Sequence, residues 1–342
     1  MVRVDYPDYE VIVVNDGSTD SSAEIARSHR CRLVTTPNRG LSHARNLVLS
    51  ESTGSIVAYI DDDAYPDPHW LRYVALGFLR SDHAAIGGPN LTPPHDGWLA
   101  QCVANAPGNP VHVLISDHEA EHIPGCNMAF RKDALESVGG FNPAFRVAGD
   151  DVDLCWRLND AGYTLGFSPA AVVWHHRRNS IRAYLRQQRG YGRAEGMLER
   201  KWPWRHDPTG NVYWSGRIYG KGFVAALGWR RGRIYQGVWG TAPFQSLYEP
   251  AATGWLAQAQ SPVWYAFVVA LGGLTLLGMS WAPLWLAALP LGLAVLAPLI
   301  QAGKGGVQAT FPTRRLARWR RFGLGIITTF LYIAQPAARL WG

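Results

Sequence analysis

The sequence predicts an α/β domain followed by membrane-spanning helices, and three observations support this. Short β-branched runs alternate with helical patterns over roughly the first 200 residues. Acidic residues follow two of these runs, at the carboxyl ends of strands, where α/β folds place their ligand crevices. No Asp, Glu, Lys, Arg or His occurs between Glu249 and Lys304. We therefore expect a mostly parallel sheet, followed by C-terminal transmembrane helices.

Strand and helix patterns follow one another in order at the start of the chain. The run EVIVV is typical of a strand buried on both faces of a parallel sheet. Gly17 permits a tight turn after it, and Ser18 or Thr19 can cap the next helix. The predicted elements are, in order, strands at 10–14, 31–36, 55–60 and 84–88, and helices ending at Arg27, at 41–51 and at 70–80.

The second half of this domain begins with a predicted loop. Residues 89–122 are rich in Pro, Gly, Asn and His, and loops of such length are often lids or substrate-binding segments. A strand then runs into a short helix closed by Gly139 and Gly140. The segment 147–163 predicts a helix with two carboxylates at its start, and the apolar run VVWHH predicts a further strand.

Three consecutive carboxylates, Asp61, Asp62 and Asp63, directly follow the strand at 55–60. Like charges packed this closely repel, so a fold that gathers them usually binds a cation. Mg²⁺ and Mn²⁺ prefer carboxylate oxygens and are commonly shared with substrate phosphates. The alternative is a solvated acidic loop. The Asp150–Asp151 pair likewise has a plain alternative, because acidic residues at a helix N-terminus are favoured by the macrodipole.

The C-terminal region has the composition of a membrane segment. Residues 263–279 and 284–300 are apolar and near the lower length limit of a bilayer-crossing helix, roughly 17 residues. A turn at 280–283 would make them a hairpin, and the alternative is a buried helix pair in a soluble domain. Residues 323–338 could be a third crossing or an interfacial helix. We expect three regions: a catalytic domain over 1–205, a linker or interfacial region over 206–260, and membrane helices over 261–342.

Charge and cysteine usage indicate the location. The arginines that follow the second span favour a cytoplasmic loop, which places residues 1–250 at the cytoplasmic face of the cell (inner or plasma) membrane. The formal charge of +7 suits anionic lipid headgroups, and no basic stripe interleaved with aromatics indicates a nucleic-acid site. The four cysteines have no paired spacing, which favours a reduced setting.

Six segments, in this order, resemble the family 2 glycosyltransferases with a GT-A fold, a Rossmann-like nucleotide-diphospho-sugar transferase fold. The resemblance covers roughly residues 10–200. The segments are EVIVVNDGSTD (10–20), NRGLSHARN (38–46), YIDDDAYPDPHWL (59–71), PGCNMAFRKDALESVGGF (124–141), GDDVDLCWRL (149–158) and VVWHH (172–176).

The resemblance implies an inverting transfer of a sugar from a nucleotide-diphosphate donor to an acceptor hydroxyl, with Mn²⁺ or Mg²⁺ as cofactor. Asp61 and Asp63 bracket the family's DxD motif as metal ligands, with Asp63 the favoured of the two, and Asp61 or Asp62 is expected near the ribose. The remaining implied roles are nucleoside contact for Asp16, diphosphate contact for Arg45, general base for Asp151 preceded by Asp150, and metal ligand for His175. The acceptor implied by the membrane setting is a lipid-linked or cell-envelope glycan.

Two departures from the family pattern shape these expectations. The family places another strand and helix before the DGSTD strand, whereas about ten residues precede Val11 here. We expect loss of such a strand to expose a sheet edge. The segment at 186–196 differs from the QxxRW element of processive synthases, with Arg186 in place of Gln and Gly190 in place of Trp. This favours addition of single sugars over polymer extrusion.

Two other classes of function stay open from the sequence. A catalytically degenerate membrane scaffold or binding subunit is suggested by the short N-terminus. Nucleotidyl transfer on a related sheet would release pyrophosphate, but GDDVDLCWR has no evident part in it. The helical run at 180–204 mixes Arg with aromatic residues, so it could lie on a membrane surface or pack on the catalytic domain. Trp70, Phe141 and Trp156 are expected in the core.

Overall fold

The computed structural model describes residues 4–206, 212–215, 217–219, 233–234, 247–249, 259, 262–311 and 317–342. Most of the predicted linker at 206–260 lies outside these residues. Arg314 and Arg315, two of the arginines that follow the second predicted span, also lie outside them.

The described elements alternate as predicted. The strands are β1 (Ile12–Asp16), β2 (Arg32–Thr36), β3 (Ile56–Ile60), β4 (Ala64–Pro66), β5 (Ala85–Gly87), β6 (Asn90–Leu91), β7 (His112–Leu114), β8 (Glu119–His122), β9 (Asn127–Arg131), β10 (Leu165–Phe167), β11 (Val173–His175), β12 (Arg217–Tyr219), β13 (Arg233–Ile234) and β14 (Leu247–Glu249). The helices are α1 (Ser22–Arg27), α2 (Leu41–Glu51), α3 (Trp70–Arg80), α4 (Trp98–Ala104), α5 (Lys132–Ser137), α6 (Asp150–Asp160), α7 (Ile181–Lys201), α8 (Pro262–Leu277), α9 (Ala288–Gln308) and α10 (Arg318–Leu340).

Strands β1 and β2 form a parallel two-stranded sheet of their own. The prediction that β1 is buried on both faces is wrong. Strand β1 belongs to a sheet of only two strands, and most of its residues are half-buried. Helix α1 begins after Ser21 without a side-chain cap, so the predicted caps at Ser18 and Thr19 are also wrong. The backbone N–H of Ser18 instead donates to the Asn15 side chain.

The central sheet has nine strands in the order β13-β14-β12-β7-β8-β10-β5-β9-β3. The predicted α/β class is confirmed, but the sheet is mixed where the sequence predicted mostly parallel pairing. Strand β10 runs parallel to β5, whereas β9 enters antiparallel between β3 and β5. Alternation of strands and helices does not fix the direction in which β9 returns. Met128 and Phe130 of β9 are fully buried in the main core.

A second small sheet and the region 89–122 complete the domain. Strand β11 pairs with β4 on one side and β6 on the other. The predicted long loop at 89–122 is wrong in part, because it contains β6, α4, β7 and β8. These elements are too short to show periodicity, yet β7 is wholly buried. The predicted core positions Trp70, Phe141 and Trp156 are confirmed as buried.

The C-terminal helices are apolar and largely exposed. Within the described part of the chain, one helical segment, Ala282–Gln308, is long and apolar enough to cross a membrane, and Trp264–Leu277 is a shorter apolar helix. Helix α10 packs against α4, α7 and α9. An apolar cluster between α4, α7 and α10 includes Val103, Tyr184 and Leu331. Helix α7 buries Tyr184, Gln188 and Leu198, so it packs on the rest of the protein.

Candidate active site

A buried arginine connects two acidic segments at the centre of the site. Arg45 lies on α2. Near the start of this helix, the Ser42 hydroxyl donates to the Phe145 carbonyl oxygen. One Arg45 nitrogen donates to Asp150 Oδ2 at 2.5 Å, and the other donates to Asp61 Oδ1 at 3.2 Å and the Gly125 carbonyl at 3.0 Å. The triple-Asp turn and the Asp150 pair, predicted to share one site, are thus joined by one guanidinium.

Asp61, Asp63 and His175 form a compact group of candidate ligand atoms. One ligand atom from each lies within 4.8 Å of the other two. His175 stands at the end of β11, and β4 runs antiparallel beside it, which brings His175 opposite Ala64. The His175 Nε2 atom lies 3.0 Å from Asp63 Oδ1. The structure therefore brings together the three residues that the sequence nominated as metal ligands.

Two arginines directly after β11 surround this group. Arg178 donates to Asp63 Oδ2 at 3.0 Å. Arg177 Nη1 lies 2.8 Å from His175 Nδ1, and its other nitrogen donates to the Asn90 side chain at 2.7 Å. Since arginine only donates, this contact makes His175 Nδ1 an acceptor and places the ring proton on Nε2, where a bound metal ion would have to replace it. Neither arginine was predicted as a site residue, although the HHRR run after an apolar strand was the available signal.

The pKa values of the two candidate metal-ligand carboxylates are shifted in opposite directions. Burial raises the pKa of Asp61, although Arg45 and His175 act against it. Burial also disfavours the charged form of Asp63, but the hydrogen bond with His175 and the positive charge of Arg178 outweigh it and lower the Asp63 pKa. Asp63 is thus the better preformed anionic ligand, while Asp61 gains most from an added cation.

Asp150 and Asp151 begin α6 after Gly149, whose φ of 85° is left-handed. Asp151 Oδ2 accepts from the Gly125 N–H at 2.9 Å, and its Oδ1 accepts from the Val152 N–H. Burial acts against ionisation of Asp151, but the contact with His122, the Arg45 charge and the Gly125 N–H lower its pKa to about 2. Asp150 is fully buried on Arg45, so Asp151 is the carboxylate available for chemistry.

Asp16 and Asp62 do not belong to the candidate metal group formed by Asp61, Asp63 and His175 among the described residues. Asp16 accepts from the backbone N–H groups of Arg39 at 2.8 Å and Gly40 at 2.7 Å, so it holds the β2–α2 turn. Gly40 has a φ of 97°, and a Cβ there would lie 2.8 Å from the Arg146 side chain. Asp62 is exposed between its two neighbours. Their predicted roles as nucleoside and ribose contacts stay predictions.

The predicted divalent cation fits the donor set. Two carboxylates supply the hard oxygen ligands that Mg²⁺ and Mn²⁺ prefer, and an imidazole favours Mn²⁺ over Mg²⁺. The site is half-buried at the carboxylates and buried at His175, which leaves room on the solvent side for phosphate oxygens. Asp61, Asp63 and His175 are the residues that would hold such an ion.

Two family models match the chain. The description Glycosyl transferase family 2 matches residues 1–139, and Glycosyl transferase family 21 matches residues 112–195. The two matches together cover the DxD turn, Gly125, the Asp150 pair and His175.

Curated relatives are also glycosyltransferases. The "Pre-mycofactocin glycosyltransferase" of Mycobacterium tuberculosis is 28% identical over 234 residues, covering 66% of this chain and 49% of that protein. "Glycosyltransferase AglE" of Haloferax volcanii is 30% identical over 177 residues, covering 50% of this chain and 57% of that protein. The chain spans about half the length of the curated relatives it matches.

Solved structures show a weaker likeness. The mannosyltransferase PcManGT from Pyrobaculum calidifontis, in complex with GDP-Man and Mn²⁺, is 24% identical, with a TM-score of 0.43 over 58% of this chain and 57% of that chain. The S. aureus protein TarS (residues 1–349, with UDP) is 16% identical, with a TM-score of 0.39 over 56% of this chain and 58% of that one. The family models and the curated relatives agree with the motifs that meet around Arg45: residues 1–139 match the family 2 glycosyltransferases, and the chain is similar to a glycosyltransferase over about two thirds of its length.

Proposed function

We propose that this protein transfers single hexosyl units from a nucleotide-diphosphate sugar to an acceptor hydroxyl, with inversion at the sugar carbon. The observation that supports this best is the joint placement of two acidic groups by Arg45. One group, Asp61 and Asp63 with His175, suits a cation and the diphosphate. The other, Asp151, suits the proton of an attacking hydroxyl.

The residues divide the reaction between them. Asp151 accepts the acceptor proton as the hydroxyl oxygen attacks the sugar carbon, and the carbon–oxygen bond to the diphosphate breaks with its electron pair leaving on the phosphate. A divalent ion bound at Asp61, Asp63 and His175 would neutralise the charge that develops on that diphosphate. Arg178, half-exposed beside Asp63, is placed to meet a phosphate oxygen. Direct attack from the face opposite the leaving group predicts inversion.

Addition of single sugars fits the composition of α7. Arg186 and Gly190 occupy the positions of Gln and Trp in the QxxRW element of processive synthases, and both lie inside a continuous helix. A Cβ at Gly190 would contact Val147, at 3.7 Å. The chain therefore lacks the aromatic residue of the processive pattern at this position of the helix.

A lipid-linked or cell-envelope glycan as acceptor is supported by the C-terminal helices. Helix α10 buries Thr328, Leu331 and Gln335 against the protein. Its opposite face exposes Trp319, Phe322, Ile326 and Phe330, at spacings of three and four residues. Arg318, Arg320 and Arg321 lie at the N-terminal end of this apolar stripe. Such a helix suits the interface of an anionic, cytoplasmic membrane face, with Ala282–Gln308 as the neighbouring span.

A donor screen tests the proposal directly. The purified full chain is incubated with UDP-glucose, UDP-N-acetylglucosamine, GDP-mannose and TDP-glucose, with Mn²⁺ or Mg²⁺, and the released nucleotide is identified. We expect a nucleoside diphosphate from one donor, and no release from Asp63→Ala or Asp151→Asn. Asp82→Asn, at an exposed position outside the site motifs, is the control and should retain wild-type activity.

The other outcomes separate the alternatives. Release of pyrophosphate would indicate nucleotidyl transfer, and full turnover by both site variants would contradict the assigned roles. If calorimetry finds that none of these nucleotides binds in the presence of Mn²⁺, the result favours a catalytically degenerate scaffold or binding subunit. The anomeric configuration of the product, read by NMR, decides inversion.

A further inference from the structure

His122 is a buried histidine behind the candidate base and has one ring nitrogen without a hydrogen bond. It ends β8, and its side chain is 9% exposed. Its Nδ1 atom lies 3.2 Å from the Val111 carbonyl oxygen. Its Nε2 atom is buried, has no hydrogen-bond partner and lies 3.6 Å from Asp151 Oδ2. This unpartnered nitrogen therefore points at the carboxylate that the proposed reaction uses.

The Val111 contact decides which nitrogen carries the proton. A carbonyl oxygen only accepts, so Nδ1 must donate to it. In the neutral ring Nε2 then carries a lone pair and no hydrogen. No proton lies between Nε2 and Asp151 in this state. The separation of 3.6 Å is longer than a hydrogen bond and fits two acceptors that are not yet bridged.

We propose that His122 is a relay residue behind Asp151: its Nε2 receives the proton that Asp151 takes from the acceptor hydroxyl. The inference rests on the proposed function, because it assigns the fate of that proton. The acceptor O–H bond breaks and its proton moves to Asp151 Oδ2, while the new carbon–oxygen bond forms and the diphosphate leaves with its electron pair. The proton then moves from Oδ2 to Nε2, which restores the carboxylate.

The surroundings allow a positive charge on His122 after this step. Asp151 from α6 faces it directly, and the Trp214 ring lies 5.6 Å away at a tilt of 38°. His112 of β7 also lies nearby, and burial together with the His122 charge lowers its pKa to about 3, so it stays neutral. A protonated His122 also holds the pKa of Asp151 low, so the resting ring must be neutral for Asp151 to act as a base.

The kinetic test uses His122→Gln and His122→Ala in the full chain, with the donor that releases diphosphate in the screen above. We expect wild-type kcat to fall on acidification, because a ring that already carries two protons cannot receive another. His122→Gln should lower kcat about 100-fold with the donor KM unchanged, within the range of general acid–base catalysis. In His122→Ala, added imidazole should restore part of the activity. His29→Gln, at an exposed histidine of the α1–β2 turn, is the control.

A spectroscopic test needs no substrate. With ¹⁵N-histidine labelling, the His122 resonance is assigned from His122→Gln and titrated by NMR. In Asp151→Asn the His122 titration should shift to lower pH, because the carboxylate that stabilises the imidazolium is gone. An unchanged titration would overturn the relay, as would a wild-type acidic limb that survives in His122→Gln. If no donor is turned over but the titration shifts, the proposed function fails and the coupled pair stands.

Discussion

The guanidinium of Arg45 lies 2.5 Å from Asp150 and 3.2 Å from Asp61, so one side chain touches both acidic segments of the site. Asp61 and Asp63 follow β3, and Asp150 begins α6 about ninety positions later. The pKa of Arg45 is raised because its carboxylate partners outweigh its burial, so it keeps its charge. Two clusters of negative charge are thus held close together without a bound cation.

Arg45→Met should destabilise the protein strongly. Removing one partner of a buried ion pair leaves Asp150 charged and unpaired, which costs about 3–5 kcal/mol of unfolding free energy. Arg32→Met is the matched control, since Arg32 pairs with Glu51 at the surface, where both side chains are more than two-fifths exposed. Loss of that pair should cost less than about 1 kcal/mol. Equal losses in thermal unfolding would contradict the structural role given to Arg45.

His175→Gln should weaken Mn²⁺ binding at least about tenfold, because it removes the imidazole and its contact with Asp63. Mn²⁺ titration followed by electron paramagnetic resonance measures this without substrate. His176→Gln is the neighbouring control, because His176 pairs with Asp96 at 2.6 Å and belongs to no candidate metal group among the described residues. If both variants bind Mn²⁺ as tightly as the wild type, His175 is not a ligand.

Asp16→Ala should loosen the β2–α2 turn. Each Asp16 oxygen accepts one backbone N–H, and hydrogen bonds to a charged group contribute about 1.5–3 kcal/mol each. We expect faster amide exchange at Arg39 and Gly40 and a lower unfolding temperature. Asp16→Asn keeps one acceptor and should fall between. Exchange rates identical to wild type in both variants would show that the turn does not depend on this carboxylate.

Stability should fall with acidification because of His112. Burial lowers its pKa to about 3, below the ordinary value of 6.5, so the unfolded chain binds the proton more readily. The contribution of a neutral His112 is therefore complete above pH 6.5 and is lost as the pH falls from 6.5 towards 3. Between pH 7 and 5 the loss should reach about 2 kcal/mol. His112→Gln should flatten this dependence in denaturant unfolding, whereas His29→Gln should not.

The exposed stripe of α10 should enter the lipid interface. A spin label at Phe322→Cys in anionic vesicles, with Cys31 replaced by serine, should be reached by oxygen more readily than by a water-soluble nickel reagent. A label at Arg200→Cys, on the exposed end of α7, should show the reverse. Water-like accessibility at position 322 would contradict the interfacial placement of α10.

Long periodic elements could be predicted from the sequence, and short ones could not. Helices α2 and α3 have the predicted bounds, because eleven residues display their periodicity and their flanking residues stop it. Strands β7, β8 and β10 have three or four residues, which is too few to show a period of two. The region 89–122 was therefore predicted as a loop.

Some residues of the candidate site could likewise be predicted from the sequence, and others could not. Asp63, His175 and Asp151 lie within motifs that can be recognised in the sequence, and the structure brings the two ends of the site together. His122 has no such motif around it. It meets Asp151 because the antiparallel pairing of β7 with β8, and the packing of α6 on β8, set its position, and neither can be read from the chain. Arg178 was missed because its contact with Asp63 depends on the register of β11 beside β4.

Gln188 fastens α10 to the catalytic domain through one amide group. Its oxygen accepts from Gln335 at 3.2 Å and Arg339 at 3.1 Å, and its nitrogen donates to the Gly108 carbonyl at 3.2 Å. If α10 rests on the bilayer as proposed, this junction fixes how far above the lipid the sugar-transfer site stands. The distance between the lipid surface and the site would then be fixed. Only acceptors whose headgroups are long enough to span that distance would react.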